Sequence, residues 1–134
     1  MNMTQPVQAT YVNSVAGVLQ AIDQPARLEI LLVIGSGEAC VCHLEAALGQ
    51  RQAYISQHLM ALRDAGVITS RRDGRYVYYR LKNTSLMDLI KTAAQLSGLR
   101  AETLSVLINT RTYPACECPH CVPVVISVDN LEPA

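Results

Sequence analysis

The sequence predicts a mainly α-helical domain that carries one small β-hairpin. Apolar residues recur at helical spacing in four consecutive segments between residues 11 and 65. Two β-prone runs follow, joined by Asp73-Gly74, a dipeptide typical of tight hairpin turns. Helical spacing then returns from residue 83. Two adjacent short helices followed directly by a hairpin are the arrangement of a winged helix-turn-helix domain.

Ordinary start and stop signals bound the predicted elements. The expected helices are 11–22, 25–34, 41–48, 52–65 and 83–109. Pro25 suits the first position of the second helix. Gly35, Gly49 and Gly66 each follow the end of a helix, where glycine is favoured. We interpret residues 38–40 as an irregular approach to the third helix, and we expect a type I′ turn at Asp73-Gly74.

The last predicted helix carries more apolar surface than a small domain needs for its own core. Asn83, Thr84 and Ser85 offer N-terminal caps for it. Its apolar positions are Leu86, Leu89, Ile90, Ala93, Leu96, Leu99, Leu104 and Leu107. This excess predicts a homodimer that pairs through its terminal helices.

The chain divides into three parts. Residues 1–9 are polar and are expected to be frayed. Residues 10–110 form the predicted winged helix-turn-helix and dimerisation domain, and residues 111–134 form a Cys-rich tail. With 134 residues, half of them hydrophobic and none of them Trp or Phe, the single core must be mostly aliphatic.

Neither a membrane span nor a secretion signal is visible. No apolar run approaches the roughly 18 residues that cross a bilayer, and the N-terminus lacks a basic stretch followed by an apolar one. We therefore expect a cytoplasmic protein with no membrane partner. Thiols stay reduced there, so closely spaced cysteines more often bind metal or act in redox chemistry than form disulfides.

A net charge of zero conceals a basic region. Residues 51–82 contain seven Arg and Lys side chains against Asp64 and Asp73. Such a single-signed patch is typical of proteins that bind a polyanion, although a solvated basic face would look the same in isolation. Since the patch coincides with the helix-turn-helix and the hairpin, double-stranded operator DNA is the expected partner.

The fourth helix is the expected recognition helix. Its polar positions can bond base edges or phosphates, and they are Gln52, Ser56, Gln57, His58 and Arg63. At the tip of the wing, Arg71, Arg72 and Arg75 are expected to contact phosphates or the minor groove. Alone, such a helix could be an ordinary amphipathic one; the basic hairpin after it favours DNA binding. Tyr76 and Tyr78 share a strand face and are expected to pack the wing.

Cys40 and Cys42 are two residues apart, a spacing that separates side chains inside a helix. They can converge only if the helix begins between them, with Cys40 in the N-cap position. A helix N-terminus also favours the thiolate, which is the form that binds metals. The alternative is that Cys42 is a small core residue. We interpret the pair as metal ligands.

Cys116, Cys118 and Cys121 lie in a Pro-containing segment outside any predicted helix. Three thiols within six residues are poorly explained by packing and indicate metal or metalloid binding. His43 and His120 neighbour the two clusters and are candidate ligands of lower rank. No cysteine lies elsewhere in the chain.

Three stretches resemble the ArsR/SmtB family of dimeric winged-helix repressors that release DNA on binding metal. They are Glu38-Ala-Cys40-Val-Cys42-His43-Leu44, Ile55-Ser56-Gln57-His58-Leu59 with Leu62-Arg63-x-Ala65-Gly66, and Arg72-x-Gly74-Arg75-x-Val77-Tyr78-Tyr79. The resemblance covers residues 12–108. It implies that the Cys-Val-Cys element is the thiolate site found in the family's arsenite and cadmium/lead branches.

The chain departs from the family pattern in two places. Glu45 stands where some arsenite sensors carry a third cysteine, and the N-terminal cysteines of the cadmium/lead branch are missing. The tail cysteines are expected to replace both. Asp88 has no neighbouring His in the last helix, which argues against the zinc and nickel type of site on that helix.

The resulting prediction is a repressor that is released when As(III) or Sb(III) binds the cysteines. Cd(II), Pb(II) or Zn(II) is the alternative inducer, since two helix thiols and one or two tail thiols suit either class. A Cys-based redox protein is a weaker alternative, because Cys118-Pro-His-Cys121 lacks the surrounding βαβ units. A third reading keeps DNA binding and makes the tail a structural zinc clip.

Overall fold

The computed structural model describes residues 4–100 and 102–103. The elements in chain order are α1 (Thr4–Ile22), α2 (Pro25–Ile34), β1 (Glu38–Cys40), α3 (Val41–Leu48), α4 (Gln52–Asp64), β2 (Ile68–Asp73), β3 (Tyr76–Leu81) and α5 (Ser85–Leu96). The predicted winged helix-turn-helix is confirmed, with α3 and α4 as its two helices and β2–β3 as the wing. None of the helices within the described residues is long and apolar enough to cross a bilayer.

The wing belongs to a three-stranded antiparallel sheet of order β1-β3-β2. The first strand differs from the prediction, which makes residues 38–40 an irregular approach to α3. Three residues are too few to show strand alternation, and β1 exists because β3 offers it an edge to pair with. In that pairing Glu38 lies opposite Arg80 and Cys40 lies opposite Tyr78.

The hairpin turn is one position later than predicted. Asp73 pairs with Tyr76, so Gly74 and Arg75 are the two central residues of the turn. Gly74 has φ 62°, and among the described residues only glycines have positive φ. A type I′ turn needs positive φ at both central residues, whereas type II′ needs it at a first-position glycine. The predicted type I′ turn is therefore wrong, and the pattern is that of type II′.

The core is aliphatic, as predicted, and it joins α2 to the two helices of the helix-turn-helix. The largest side chains that are at most 1% exposed are Ile30, Leu31, Leu44, Ile55, Leu59, Leu62, Ile68 and Tyr78. Full burial of each aliphatic side chain contributes roughly 1.5–3 kcal/mol. Because α2, α3 and α4 all contribute, the recognition helix is packed on both of its predecessors.

Both terminal helices differ from their predictions. α1 begins at Thr4 rather than at residue 11, so the expected frayed segment is helical from that point. α5 ends at Leu96 rather than at residue 109. Gly98 has φ 91°, and the amides of Gly98 and Leu99 bond the carbonyls of Gln95 and Ala94, both at 3.0 Å. These bonds form a Schellman motif, which terminates a helix.

Candidate DNA-binding surface and thiol site

The recognition helix α4 is oriented by its buried side. Ile55, Leu59 and Leu62 lie one turn apart and are at most 1% exposed, so the opposite side of the helix faces outward. Of the predicted contacts, Gln52, Gln57 and Arg63 are exposed and Ser56 is half-buried. These four side chains are available to a ligand along the outer surface of the helix.

His58 is half-buried and is hydrogen-bonded to a residue of α2. Arg27 Nε donates to His58 Nδ1 at 3.4 Å, and the Tyr54 ring lies edge-on to the imidazole with centroids 4.8 Å apart. A nitrogen that accepts a hydrogen bond carries no proton, so in this arrangement the proton is on Nε2. His58 Nε2 can therefore donate a hydrogen bond while Arg27 holds the ring.

Met60 is a candidate contact that sequence reasoning missed. It lies three residues after Gln57 on the outward side of α4 and is 57% exposed. A pattern of polar side chains along the helix does not include Met60, although apolar groups also read DNA through the thymine methyl. Helical spacing from Gln57 would have identified it.

The wing displays its basic residues unevenly. Arg75 is one of the two turn residues, and its guanidinium carbon lies 5.6 Å from the Tyr76 ring centroid. Arg72 is exposed on β2. Arg71 lies further from the turn, opposite Tyr78. Tyr78 is 1% exposed, which confirms the packing predicted for this tyrosine.

Arg71 is already engaged within the protein. Its Nε donates to Glu38 Oε2 at 2.9 Å, its Nη2 pairs with Oε1 of the same carboxylate, and its guanidinium carbon is 4.8 Å from the Tyr78 centroid. The hydrogen bonds to Glu38 raise the pKa of Arg71 above its ordinary value. Sequence reasoning missed Glu38 as its partner, because the two residues are 33 positions apart.

The two helix thiols converge at the start of α3. Cys40 is the N-cap residue, with extended angles of φ −87° and ψ 169°, and its Sγ accepts a hydrogen bond from His43 N at 3.4 Å. The Sγ atoms of Cys40 and Cys42 are 3.0 Å apart. The predicted geometry, a pre-helical Cys40 beside a first-turn Cys42, is confirmed.

Burial of the thiol pair is uneven. Cys40 is 2% exposed and packs with Tyr78 in a small cluster that Cys42 and Tyr76 border. Cys42 is half-buried. The described residues contain no group of three or more His, Cys, Asp or Glu that could hold a metal ion. Cys116, Cys118 and Cys121 lie outside the described residues, so their part in a site stays a prediction.

α1 and α5 together present an apolar surface. Large exposed fractions occur at Tyr11 (68%), Val15 (61%) and Leu96 (86%). A cavity of about 340 Å³ between the two helices is lined by apolar residues that include Leu19 and Leu89. Contiguous exposed apolar side chains of this kind are typical of interaction sites.

Comparison with known proteins identifies the fold and the family. The family model "Bacterial regulatory protein, arsR family" matches residues 24–70. The biofilm growth-associated repressor of Agrobacterium fabrum is 36% identical over 86 residues, which are 64% of this chain and 74% of that protein. The chain belongs to the arsR family of regulatory proteins. It is thus a DNA-binding transcriptional regulator rather than an enzyme.

Two further similar proteins are informative. The arsenic resistance transcriptional regulator ArsR1 of Pseudomonas putida is 51% identical over 61 residues, or 46% of this chain, and the match spans 47% of that regulator's length. The crystal structure of NolR from Sinorhizobium fredii superposes with a TM-score of 0.64 at 30% identity, covering 71% of this chain and 95% of NolR. The fold of the family is therefore shared well beyond the matched helices.

Proposed function

We propose that this arsR-family regulator is a metal(loid)-responsive repressor that binds operator DNA as a homodimer and leaves it when a thiophilic ion binds its cysteines. One observation carries the proposal. The two thiol sulfurs lie 3.0 Å apart at the N-cap of α3, the first helix of the helix-turn-helix.

The thiol pair suits a soft ion. Thiolate is the preferred ligand of such ions, and the N-terminal end of a helix stabilises the negative charge that the ligand form carries. Two sulfurs that share a tetrahedral ion at about 2.3 Å are roughly 3.8 Å apart. The pair, 3.0 Å apart, would therefore widen by less than about 1 Å to hold an ion in zinc-like tetrahedral geometry.

Arsenite or antimonite is the favoured inducer. As(III) and Sb(III) take three sulfurs, which two helix thiols and one tail thiol would supply. Similarity to a relative named as an arsenic resistance regulator supports this choice. Cd(II), Pb(II) or Zn(II) would use a fourth sulfur from the same tail.

The tail cysteines Cys116, Cys118 and Cys121 complete the site in this proposal. Two thiolates are too few for a tight site, and no other cysteines exist in the chain. Closing the site would pull the start of α3 and change how Leu44, which is fully buried, packs against α4. A shift of the recognition helix gives the ion the different affinities for bound and free states that allostery requires.

A homodimer would place two copies of α4 in successive major grooves, about 34–36 Å apart, on an inverted-repeat operator. The apolar surface of α1 and α5 supports pairing through these helices. Gln52, Ser56, Gln57, His58 and Arg63 would face the bases, with Arg72 and Arg75 of each wing on the flanking backbone. Arg71 would contact that backbone through Nη1, because Nε and Nη2 are bonded to Glu38.

The decisive experiment replaces both helix thiols, with Cys40→Ser and Cys42→Ser in one protein. We expect operator affinity to be nearly unchanged, since a serine also caps a helix, while arsenite no longer releases the DNA. Fluorescence anisotropy of a labelled operator, with and without arsenite, measures both quantities. Release at the wild-type midpoint would contradict the proposal, and ion-dependent folding of the wild type would favour the structural zinc clip.

A further inference from the structure

Cys40, Tyr78 and Arg71 form one row across the three-stranded sheet. Cys40 on β1 is the register partner of Tyr78 on β3, and Tyr78 is the register partner of Arg71 on β2. Side chains directly opposite each other on neighbouring strands share one face of the sheet and interact. The row therefore begins at a proposed ion ligand and ends at a basic residue of the wing.

The Arg71 side chain crosses the Tyr78 ring on β3 and reaches Glu38 on β1. Its guanidinium carbon lies 4.8 Å from the Tyr78 ring centroid, and beyond the ring it bonds the Glu38 carboxylate through Nε and Nη2. An arginine that uses two of its nitrogens on one carboxylate is held in a specific geometry. The outer strand of the wing is thus tied to the strand that ends at Cys40.

Tyr78 lies in close packing between the thiol and the ion pair. Tyr78 is 1% exposed and Cys40 is 2% exposed, and the two are in contact. Protein interiors are packed too densely for one side chain to move while its neighbours stay in place. The thiol sulfurs, now 3.0 Å apart, have to separate when they share an ion, so a displacement of Cys40 reaches Tyr78.

We propose that Glu38 and Arg71 form a brace that couples the thiol pair to the wing. In the ion-free protein the brace holds β2 in its DNA-binding position. Movement of Cys40 displaces the Tyr78 ring, and Arg71 then loses the surface on which it lies against Glu38. Glu38 is a positioning residue here, because its part is to hold Arg71. This inference rests on the proposed function. It adds a coupling from the thiols to the wing through the sheet to the proposed coupling from the thiols to α4 through α3.

The test uses Glu38→Gln, which keeps the side-chain length and removes the charge. Operator Kd is measured by anisotropy with and without saturating sodium arsenite. We call the Kd with arsenite divided by the Kd without it the release ratio. We expect the release ratio to fall about five-fold, the combined size of an exposed ion pair and a cation–π contact. Glu29→Gln, the same change on an exposed position of α2, is the matched control and should keep the wild-type ratio.

Two further measurements separate coupling from damage to the fold. Thermal melts and the ultraviolet absorbance of arsenic–sulfur bonds should match the wild type in Glu38→Gln, since Glu38 is only half-buried and neither brace residue is a thiol ligand of the ion. Reversing the pair, with Glu38→Arg and Arg71→Glu together, should raise the release ratio above that of Arg71→Glu alone.

An unchanged release ratio in Glu38→Gln would overturn the brace. So would tighter ion-free binding with a steeper salt dependence, because Glu38 would then merely compete with phosphate for Arg71. A wild-type protein that stays on its operator at saturating arsenite and cadmium would instead overturn the proposed function, and the coupling with it.

Discussion

The recognition helix and the wing, which are the two elements expected to meet DNA, are attached to the domain in different ways. α4 buries Ile55, Leu59 and Leu62 to at most 1% exposure in a core shared with α2 and α3. β2 exposes every residue from Ser70 to Asp73. It is held by pairing with β3 and by the contacts of Arg71 with Glu38 and Tyr78.

In the proposed function, this difference decides which element responds to the thiol site. An element held by few contacts moves at a lower cost in free energy than one held by a packed core. The contacts that hold β2 adjoin Cys40, whereas those that hold α4 are aliphatic and distributed over three helices. The wing should therefore respond first to the thiols, and the recognition helix should follow only if α3 itself tilts.

Truncation after Thr112 tests whether Cys40 and Cys42 can respond to arsenite without the tail cysteines. We expect arsenite to lose its effect, so that the ratio of operator Kd values falls from as much as about 10⁴ toward one, while ion-free binding is unchanged. Anisotropy titrations measure the ratio, and a full-length protein with Ser at positions 116, 118 and 121 is the control. Unchanged sensitivity would show that the tail is a separate site.

Leu59→Ala and Val77→Ala compare how firmly the recognition helix and the wing are held to the rest of the domain. The first leaves a cavity in the core under α4 and should lower the free energy of unfolding by about 2–5 kcal/mol. The second trims a half-buried wing residue and should cost less than about 1.5 kcal/mol. Urea unfolding followed by circular dichroism gives both values. Equal losses would mean that the wing is anchored as firmly as the recognition helix.

The pH dependence of ion binding shows how many protons the thiols release to each class of ion. Arsenous acid and three thiols form three As–S bonds and three waters with no net proton release. A divalent ion instead displaces a proton from each thiol, so below the thiol pKa its affinity rises about ten-fold per pH unit for every thiol engaged. Competition titrations between pH 6 and pH 8 should show a flat profile for arsenite and a steep one for cadmium. A steep arsenite profile would contradict neutral displacement of water by three thiols.

Gln57→Ala and Arg75→Ala separate base reading on α4 from backbone contact by the wing. Loss of Gln57 should cost about 1–3 kcal/mol of discrimination at one base pair of each half-site. Loss of Arg75 should weaken binding to all sequences alike and reduce the salt slope by about one for each phosphate contact removed. Binding to an operator and to a scrambled duplex at several salt concentrations measures both. A sequence-dependent effect of Arg75→Ala would place the wing tip in a groove.

The inner helices α2, α3 and α4 were predictable from sequence to within one residue, whereas the start of α1 and the end of α5 were not. The bounds of α2 and α3 follow from Pro25, Gly35 and Gly49, which act on their immediate neighbours. The convergence of Cys40 and Cys42 follows from a helix start between them. The type of the hairpin turn was wrong because either glycine-containing pair could have been central, and cross-strand register decides between them.

By itself, the sequence determined the helices, the hairpin and the paired thiols, because each depends on interactions within one or two turns of chain. Tertiary structure alone decided that Glu38–Cys40 is a strand and that Arg71 bonds Glu38, 33 residues away. It also decided that Arg27 holds His58, 31 residues away. These contacts form only after the core has brought distant segments together, and no local propensity encodes which partners then lie within hydrogen-bonding distance.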